Sequence, residues 1–432
     1  MSRTTRRVYA LLAGAVLLTA AACSGGGGEG DDDGGDEAQS ADSLTLLTPA
    51  APSSAGGQVL REVIEQFTDE TGIEVQVEVA GEDLPTVFET SVAAGQQADI
   101  VHINPVDKPL TWIDNEVVVP VGDYLDEWGL TNRLSPGAIE EWTREDGQIQ
   151  GFPFEGYQWP VWYNTALLDQ AGVTEIPETT DDLIAAAEAL RAAGIQPFAI
   201  GGNDWSGQKL FFQVAQAYLD PDAARELFTN GGWCASPETM QGIELFTQLR
   251  DAGVFVDDAE GFEAQSMVAQ FISGEAAIMS AGSWEFAQVP PELVDSIQLA
   301  GLPVPDGGAY ERPTAYQGTS NGFWISQNGA DKIDAVRQFI EFMYRPETVT
   351  AFVDEAQTTT ALVTDAADLG DGQPLLTQVQ ADLPASVDYA VLPDRWIPGA
   401  ISQSVIRETA VAFTDGTSAD DICAALDTTY GS

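Results

Sequence analysis

Histidine and cysteine are scarce in this sequence, and their scarcity limits its chemistry. Of the 432 residues, one is histidine and three are cysteine. A Ser-His-Asp or Cys-His catalytic site would have to use His102, and a zinc site would have no second imidazole ligand. The apolar neighbours of His102 do not resemble a nucleophile loop, so we expect this residue near the end of a strand. We expect no catalytic residue, no metal site and no cofactor.

Positive charge is also scarce. The chain has 17 Lys and Arg against 68 Asp and Glu, which gives a formal net charge of −51. Phosphate binding needs clustered Lys and Arg, so this balance excludes a nucleic-acid partner. No stretch has the carboxylate spacing of a calcium-binding loop. Such an acidic surface is typical of a protein in a salty exterior, where screening relieves self-repulsion.

No apolar run is long enough to cross a membrane, and the one nearest to that length is at the N-terminus. Three arginines precede the apolar run 8–21, which fits a signal-peptide core. The run ends in small residues and then Cys23, and this resembles a bacterial lipoprotein signal. The resemblance implies a signal peptide over residues 1–22, with Cys23 as the lipid attachment site. The chain would then be extracytoplasmic, anchored to the outer face of the bacterial cytoplasmic membrane. Ordinary secretion is the alternative.

The residues that follow predict a tether and a disulfide. Residues 23–43 are rich in Gly and Asp and have almost no side chain able to bury surface, so we expect a disordered tether. The remaining cysteines are Cys234 and Cys423. An even count in an exported domain predicts that they form a disulfide.

Alternating strand and helix patterns predict an α/β fold. About 390 residues follow the tether, too many for one core and enough for two lobes. Near the start, strand patterns over 44–47, 73–79 and 99–103 alternate with helical patterns over 59–71 and 87–94. Similar patterns continue to the C-terminal third. The predicted strands are 149–154, 195–200, 275–280 and 322–325, and the predicted helices are 181–193 (capped by Thr180), 240–252, 263–273, 335–343 and 346–356.

Five sequence blocks, in this order, resemble family 1 extracellular solute-binding proteins, which serve ABC importers of sugars. They are residues 162–168 (WYNTALL), 171–173 (AGV), 177–183 (PETTDDL), 190–197 (LRAAGIQP) and 271–284 (FISGEAAIMSAGSW). The resemblance extends from about residue 44 to the C-terminus. It implies a two-lobed periplasmic-binding-protein-like fold, in which each lobe is a sheet flanked by helices.

The same resemblance implies three interlobe crossings, near residues 155–158, 316–322 and 364–369, with the ligand in the cleft between the lobes. Lobe 1 would comprise 44–155 with 322–365. Lobe 2 would comprise 156–321 with 366–432.

Matching positions one by one gives a set of expected ligand residues. A pyranose offers apolar C–H faces for aromatic rings and hydroxyls for carboxylates, amides and Arg. The expected ligand-binding residues are Trp284, Trp205, Tyr157, Asn104, Asp107, Asn321, Arg407 and Asn203. Arg407 has the alternative of a solvated surface arginine.

Other aromatic residues receive different assignments. Trp159, Trp162 and Tyr163 are expected in the core, and Trp324 and Trp396 at the rim of the site. The first loop, 48–54, has no aromatic residue where the family usually has tryptophan, which leaves one wall of the site without a ring.

These features predict the substrate-binding subunit of an ABC importer rather than an enzyme. It would capture a sugar, either a mono- or an oligosaccharide, and deliver it as a monomer to the transmembrane permease subunits. One alternative is a binding protein for a non-sugar solute such as a polyamine or a peptide, since a cationic ligand would suit an acidic pocket. Another is an enzyme that acts on glycosides with two carboxylates.

Overall fold

The computed structural model describes residues 43–81, 83–106, 108–144, 146–363 and 373–431. Cys23, nearly all of the expected tether, Asp107 and the expected third crossing lie outside these ranges. The described strands, labelled in chain order, are β1 (Ser43–Thr48), β2 (Glu74–Val79), β3 (Ile100–Ile103), β4 (Val118–Val119), β5 (Phe152–Pro153), β6 (Glu155–Trp159), β7 (Val161–Asn164), β8 (Gln196–Ala199), β9 (Ala276–Ser280), β10 (Ile297–Ala300), β11 (Thr314–Thr319), β12 (Gly322–Ser326), β13 (Thr359–Thr360) and β14 (Asp388–Tyr389).

The α-helices alternate with these strands through most of the chain. They are α1 (Ala55–Thr71), α2 (Leu84–Ala93), α3 (Gly122–Glu127), α4 (Pro136–Trp142), α5 (Thr165–Gln170), α6 (Thr180–Ala192), α7 (Trp205–Ala215), α8 (Pro221–Asn230), α9 (Pro237–Asp251), α10 (Ala264–Ile272), α11 (Pro291–Val294), α12 (Gln327–Ala330), α13 (Ile333–Met343), α14 (Pro346–Ala356), α15 (Pro374–Thr377), α16 (Leu383–Ser386), α17 (Ser402–Val411) and α18 (Ala419–Tyr430).

Two of the three described sheets form the centres of two α/β lobes. The first has the order β2-β1-β3-β12-β4, with β5 also paired to β12. In it β1 runs parallel to β2 and β3, whereas β12 is antiparallel to its neighbours. The second sheet has the order β10-β7-β9-β8. Helices α1, α2 and α13 pack on the first sheet, and α5, α6 and α10 pack on the second. The predicted two-lobed α/β fold class is confirmed.

Helix α1 shows why the periodic patterns predict elements well. Five apolar side chains spaced at three and four residues are buried on one face of this helix. The Ser54 hydroxyl accepts a hydrogen bond from the backbone N–H of Gly57 and caps the first turn. Gly72 ends the helix at φ 76°, in the left-handed region that glycine enters without a steric penalty. The strand that follows, β2, begins within one residue of the predicted start.

A third sheet, which like the second has four strands, connects the other two. Its order is β13-β6-β11-β14, with β6 antiparallel to β11. Strand β6 leads from β5 of the first sheet directly into β7 of the second, and β11 returns toward β12 of the first. These two strands coincide with the first two expected crossings. The expected boundaries of the lobes stay a prediction.

The structure corrects several local predictions. Thr179 caps α6 instead of Thr180, in a capping box with the carboxylate of Asp182. The predicted strand over 149–154 is only two residues long, because the chain turns into β6 at Glu155. Residue 43, assigned to the tether, already belongs to β1.

Trp324 is also reassigned, from the rim of the site to the core. Its side chain is 0% exposed and its ring packs on Trp112 and Trp142 at centroid distances of 5.5 and 5.3 Å. Every residue of β12 is buried, so no solvent-facing side of the strand exists for a rim residue. Trp162 and Tyr163 are fully buried, as expected for core residues.

A disulfide between Cys234 and Cys423 links two parts of the chain 189 residues apart. It attaches α18 to the segment before α9, and the two helices pack together. The Asp427 carboxylate reinforces this junction, because it accepts hydrogen bonds from the backbone N–H groups of Gly232, Trp233 and Cys234.

Removing this disulfide should lower stability. The double variant Cys234→Ala/Cys423→Ala should lose up to about 5 kcal/mol of unfolding free energy, since the bridge closes a very long loop in the unfolded chain. Urea titration measures the loss, and Cys23→Ser is the control that leaves the bridge in place. Two reactive thiols from Cys234 and Cys423 in denatured, non-reduced protein would contradict the pairing.

Candidate functional site

Four aromatic side chains from three elements form a cluster beside the crossing strands. Trp284 is at its centre, with ring centroids 5.6 Å from Tyr157, 5.3 Å from Trp159 and 6.1 Å from Trp205. Trp159 also contacts Trp205, at 5.5 Å. The Trp284 side chain is 37% exposed, whereas Trp159 is 1% exposed. The cluster, which we call the aromatic cluster, therefore has a buried base and an open indole face. The structure brings the predicted residues Trp284, Trp205 and Tyr157 together.

The backbone around Trp284 explains the Gly-Ser-Trp sequence. Trp284 lies in a 3₁₀ turn, Ser283–Gln288, that follows β9. A Cβ atom on Gly282 would lie 2.2 Å from the Trp284 ring, so the ring takes this position only because residue 282 has no side chain. The Ser283 hydroxyl accepts a hydrogen bond from the backbone N–H of Gln158 and fixes the turn against β6.

Trp205 is held by the N-terminus of α7. The Asp204 side chain caps this helix by accepting hydrogen bonds from the backbone N–H and the hydroxyl of Ser206. Its second oxygen accepts from the backbone N–H of Ala264, at the start of α10. One carboxylate thus joins two helix starts, and the first residue of α7 lies in the aromatic cluster.

A buried ion pair, which the sequence did not indicate, lies beneath the indole rings. Lys209 Nζ lies 2.5 Å from both carboxylate oxygens of Asp394. The same Nζ is 5.5 Å from the Trp159 ring centroid and 6.0 Å from that of Trp205, within the range of cation–π attraction. Trp205 and Lys209 are four residues apart on α7 and share a face, a spacing that could have indicated the lysine. Nothing local marks Asp394, which is 185 residues away.

Arg395 and Glu141 extend the polar side of the site. The Arg395 guanidinium donates to the backbone carbonyls of Glu141 and Glu140, at 2.9 and 3.3 Å, in the last turn of α4. The Glu141 carboxylate accepts from the backbone N–H of Thr319 at 2.6 Å and from its hydroxyl. The segment that carries Asp394 therefore contacts elements from both lobes.

The Tyr157 side chain is 9% exposed, and among the residues that the structure describes its hydroxyl has no hydrogen-bond partner. Burial raises the pKa of Tyr157 well above its usual value, and the charges of Asp394 and Glu141 raise it further against the opposing effect of Arg395. The hydroxyl is thus protonated at any physiological pH and offers one donor and two acceptor positions. Such a group suits a sugar hydroxyl.

A second polar group, formed by Glu155, Asn321 and His102, lies where β6 leaves the first sheet. The Asn321 amide donates to the Glu155 carboxylate at 2.7 Å, and His102 Nε2 lies 3.7 Å from the other carboxylate oxygen. Burial raises the pKa of Glu155 to about 7, against the two hydrogen bonds from Asn321, and lowers the pKa of His102 to about 3. Both side chains are therefore uncharged in mildly acidic solution.

The remaining predicted site residues take separate positions. Asn104 is half-buried directly after β3, and Asn203 is exposed two residues before Trp205. Arg407 is exposed on α17, and its guanidinium donates to Ser404 on the same helix. No described contact joins Arg407 to the aromatic cluster. Asp107 lies outside the described residues.

A groove of about 670 Å³ is lined by Trp205 and Trp284. Its lining also includes residues along the whole length of α10, from Ala264 to Ile272, together with Glu263 and Glu285. Within the described ranges, no group of His, Cys, Asp and Glu could hold a metal ion. Over the same ranges, no helix is long and apolar enough to cross a membrane.

Comparison with known proteins identifies the family. Residues 51–350, more than half of the chain, match the family model of the bacterial extracellular solute-binding protein. The chain belongs to this family.

Relatives of this solute-binding protein have been solved. A secreted solute-binding lipoprotein from Streptomyces coelicolor, described as probable, is 42% identical, with a TM-score of 0.80 over 91% of this chain and 100% of that one. A chitin oligosaccharide binding protein has a TM-score of 0.79 at 22% identity, over 90% of this chain and 98% of that one, which shows a shared fold.

Among curated sequences, a "probable sugar-binding periplasmic protein" of Rhizobium meliloti is 27% identical over 54% of this chain and 56% of its own length. The chain spans about half the length of the curated relatives it matches.

Glu155 should make the stability of this solute-binding protein depend on pH. The unfolded chain releases the Glu155 proton near pH 4.5, whereas the folded protein keeps it to about pH 7, so stability falls as pH rises between these values. Glu155→Gln cannot ionise and should exceed the wild type by up to about 3 kcal/mol at pH 8. Below pH 6.5 the buried, uncharged His102 also lowers the free energy of unfolding, because burial lowers its pKa. This effect is the same in both proteins and does not contribute to the difference between them.

Urea titrations of both proteins at pH 4.5 and pH 8 measure this difference. The two free energies of unfolding should agree at the lower pH and diverge at the higher one. Parallel pH profiles would contradict a raised pKa at Glu155.

Proposed function

We propose that this solute-binding protein captures a sugar between its two lobes and delivers it to an ABC permease. The observation that carries the proposal is the aromatic cluster, where the exposed Trp284 face lies beside the free Tyr157 hydroxyl. An indole face suits the apolar side of a pyranose ring, and the hydroxyl suits its polar edge. The names of the curated relatives, which describe sugar-binding periplasmic proteins, agree with this.

The charged groups beside the cluster support a neutral, hydroxyl-rich ligand. Lys209 is already paired with Asp394 and is not left to hold an anionic ligand, and one guanidinium nitrogen of Arg395 donates to two backbone carbonyls. The carboxylates retain acceptor positions for hydroxyl groups. A polyamine or a cationic peptide is the second candidate, because these carboxylates and the net charge would also attract a cation.

Calorimetry separates these candidates. The neutral panel comprises galactose, maltose, xylobiose and the chitin disaccharide, and spermidine and a lysine-containing tripeptide are the cationic probes. We expect heat of binding from at least one sugar and from neither cation.

We also propose that the protein has no catalytic activity, so the sugar should be recovered without hydrolysis after incubation.

Trp284→Ala should weaken sugar binding by roughly ten- to a hundred-fold. An aromatic ring desolvated by a ligand contributes on the order of 1 to 3 kcal/mol, and each 1.4 kcal/mol is a factor of ten in Kd. Trp128→Ala is the matched control, because it removes a half-buried indole that stacks on Phe152 and has no described contact with the aromatic cluster. Unchanged affinity in folded Trp284→Ala protein would contradict the site.

We further propose that acyl chains on Cys23 attach the protein to the outer face of the membrane. The solved lipoprotein relative from Streptomyces coelicolor supports this. Cys23→Ser should release the protein into the medium, since acyl chains supply the attachment. Fractionation of cells that produce either form measures the change. A Cys23→Ser protein that stays in the membrane fraction would contradict the anchor.

A further inference from the structure

Glu155 and His102 join the two strands that lead to candidate ligand residues. Glu155 lies two residues before Tyr157 on β6, and residues two apart on a strand project from the same face. His102 lies two residues before Asn104, near the end of β3. The 3.7 Å approach of His102 Nε2 to the Glu155 carboxylate is thus a contact between β6 and β3 that lies close in sequence to both Tyr157 and Asn104.

Asn321 and Thr48 hold this pair from two further sides. The backbone carbonyl of Asn321 accepts from the N–H of Glu155 at 2.8 Å, and its amide donates to the Glu155 carboxylate. Since Asn321 lies between β11 and β12, Glu155 ties the two crossing strands together. His102 Nδ1 lies 3.2 Å from the Thr48 hydroxyl on β1, and its ring stacks on Phe323.

The net charge of the group formed by Glu155, His102, Asn321 and Thr48 depends on the proton of the Glu155 carboxyl group. Apart from His102 on β3, the described partners of Glu155 are Asn321, Ser320 through its backbone N–H, and Thr360 on β13, and none of these titrates. His102 is 2% exposed and its Nε2 has no hydrogen-bond partner in the described ranges. The Glu155 side chain is 15% exposed. A carboxylate in this position has one side-chain donor, the Asn321 amide, and little access to water.

We propose that Glu155 is a positioning residue for the ligand site, and that protonation of its carboxyl group strengthens ligand binding. This inference rests on the proposed function, because it takes the ligand to lie against Tyr157. When Glu155 is protonated, its uncharged carboxyl group lies 3.7 Å from His102 Nε2, a contact longer than a hydrogen bond, and His102 Nδ1 keeps its 3.2 Å contact with the Thr48 hydroxyl. No charge is then buried at the contact between β6 and β3.

When Glu155 loses its proton, the negative charge favours hydration. Water that enters this position loosens the junction of β6 with β3, and Tyr157 and Asn104 are then less well fixed. Ligand affinity therefore falls as pH rises through neutrality. The raised pKa of Glu155, about 7, places the transition in the physiological range.

The test compares wild type, Glu155→Gln and Glu188→Gln between pH 5.5 and 8.5. Glu188→Gln removes one carboxylate from the exposed face of α6 and is the matched control. One measurement is calorimetric affinity for the neutral sugars galactose, maltose, xylobiose and the chitin disaccharide, none of which titrates. The other is intrinsic tryptophan fluorescence without any sugar, which reports on the rings beside Tyr157.

For wild type and Glu188→Gln, we expect affinity at pH 8 to be at least about fivefold weaker than at pH 6, a coupling of the usual size. Both should show a fluorescence transition near pH 7. Glu155→Gln should bind at pH 8 as wild type does at pH 6, and its fluorescence should not change over this range.

Two results would overturn the proposal. One is a pH dependence of affinity in Glu155→Gln equal to that of the wild type. The other is an identical fluorescence titration in the two proteins. If no sugar of the panel binds, the proposed function fails, whereas the fluorescence titration still decides whether Glu155 controls the aromatic cluster.

Discussion

The antiparallel pairing of β6 with β11 is the constraint on which the rest of this structure depends. Four residue pairs join the two strands, and Tyr157 is opposite Gly318. A Cβ atom on Gly318 would lie 3.1 Å from the Tyr157 hydroxyl oxygen, so the absence of a side chain there leaves room for the tyrosine. The same pairing places Trp159 opposite Tyr316, and both are buried beneath the indole rings of Trp205 and Trp284. The connection between the lobes is therefore also the floor of the site.

Electrostatics at the site differ from those of the chain as a whole. The protein has four times as many acidic as basic residues, yet Lys209 and Arg395 both lie beside the cleft. Lys209 donates to the Asp394 carboxylate, and Arg395 donates to two backbone carbonyls. The two cations offset part of the negative charge around them, and these contacts fix the orientation of their side chains. Burying an ion pair such as Lys209 with Asp394 costs desolvation energy, but the pair holds the side chains around the site in one geometry.

Periodic segments of the sequence predicted the fold well, whereas long-range contacts could not be predicted. Helix α14 has the predicted bounds, and the Gly-Ser-Trp segment after β9 brings Trp284 into the aromatic cluster, because both signals are local. The Lys209–Asp394 pair and the Glu155–His102 approach join distant parts of the chain and leave no local pattern. The rim assignment of Trp324 was wrong because both faces of β12 are buried, and alternation carries no information in such a strand.

Hydrogen exchange with and without a saturating sugar tests whether the ligand binds between the lobes. A sugar should slow exchange in both lobes at once: at β6, at the start of α7 and at the turn Ser283–Gln288, and also in the loop after β3. Exchange in α18 should not change, because this helix has no described contact with the aromatic cluster. Protection confined to one lobe, or distributed without regard to the cluster, would contradict ligand binding between the lobes.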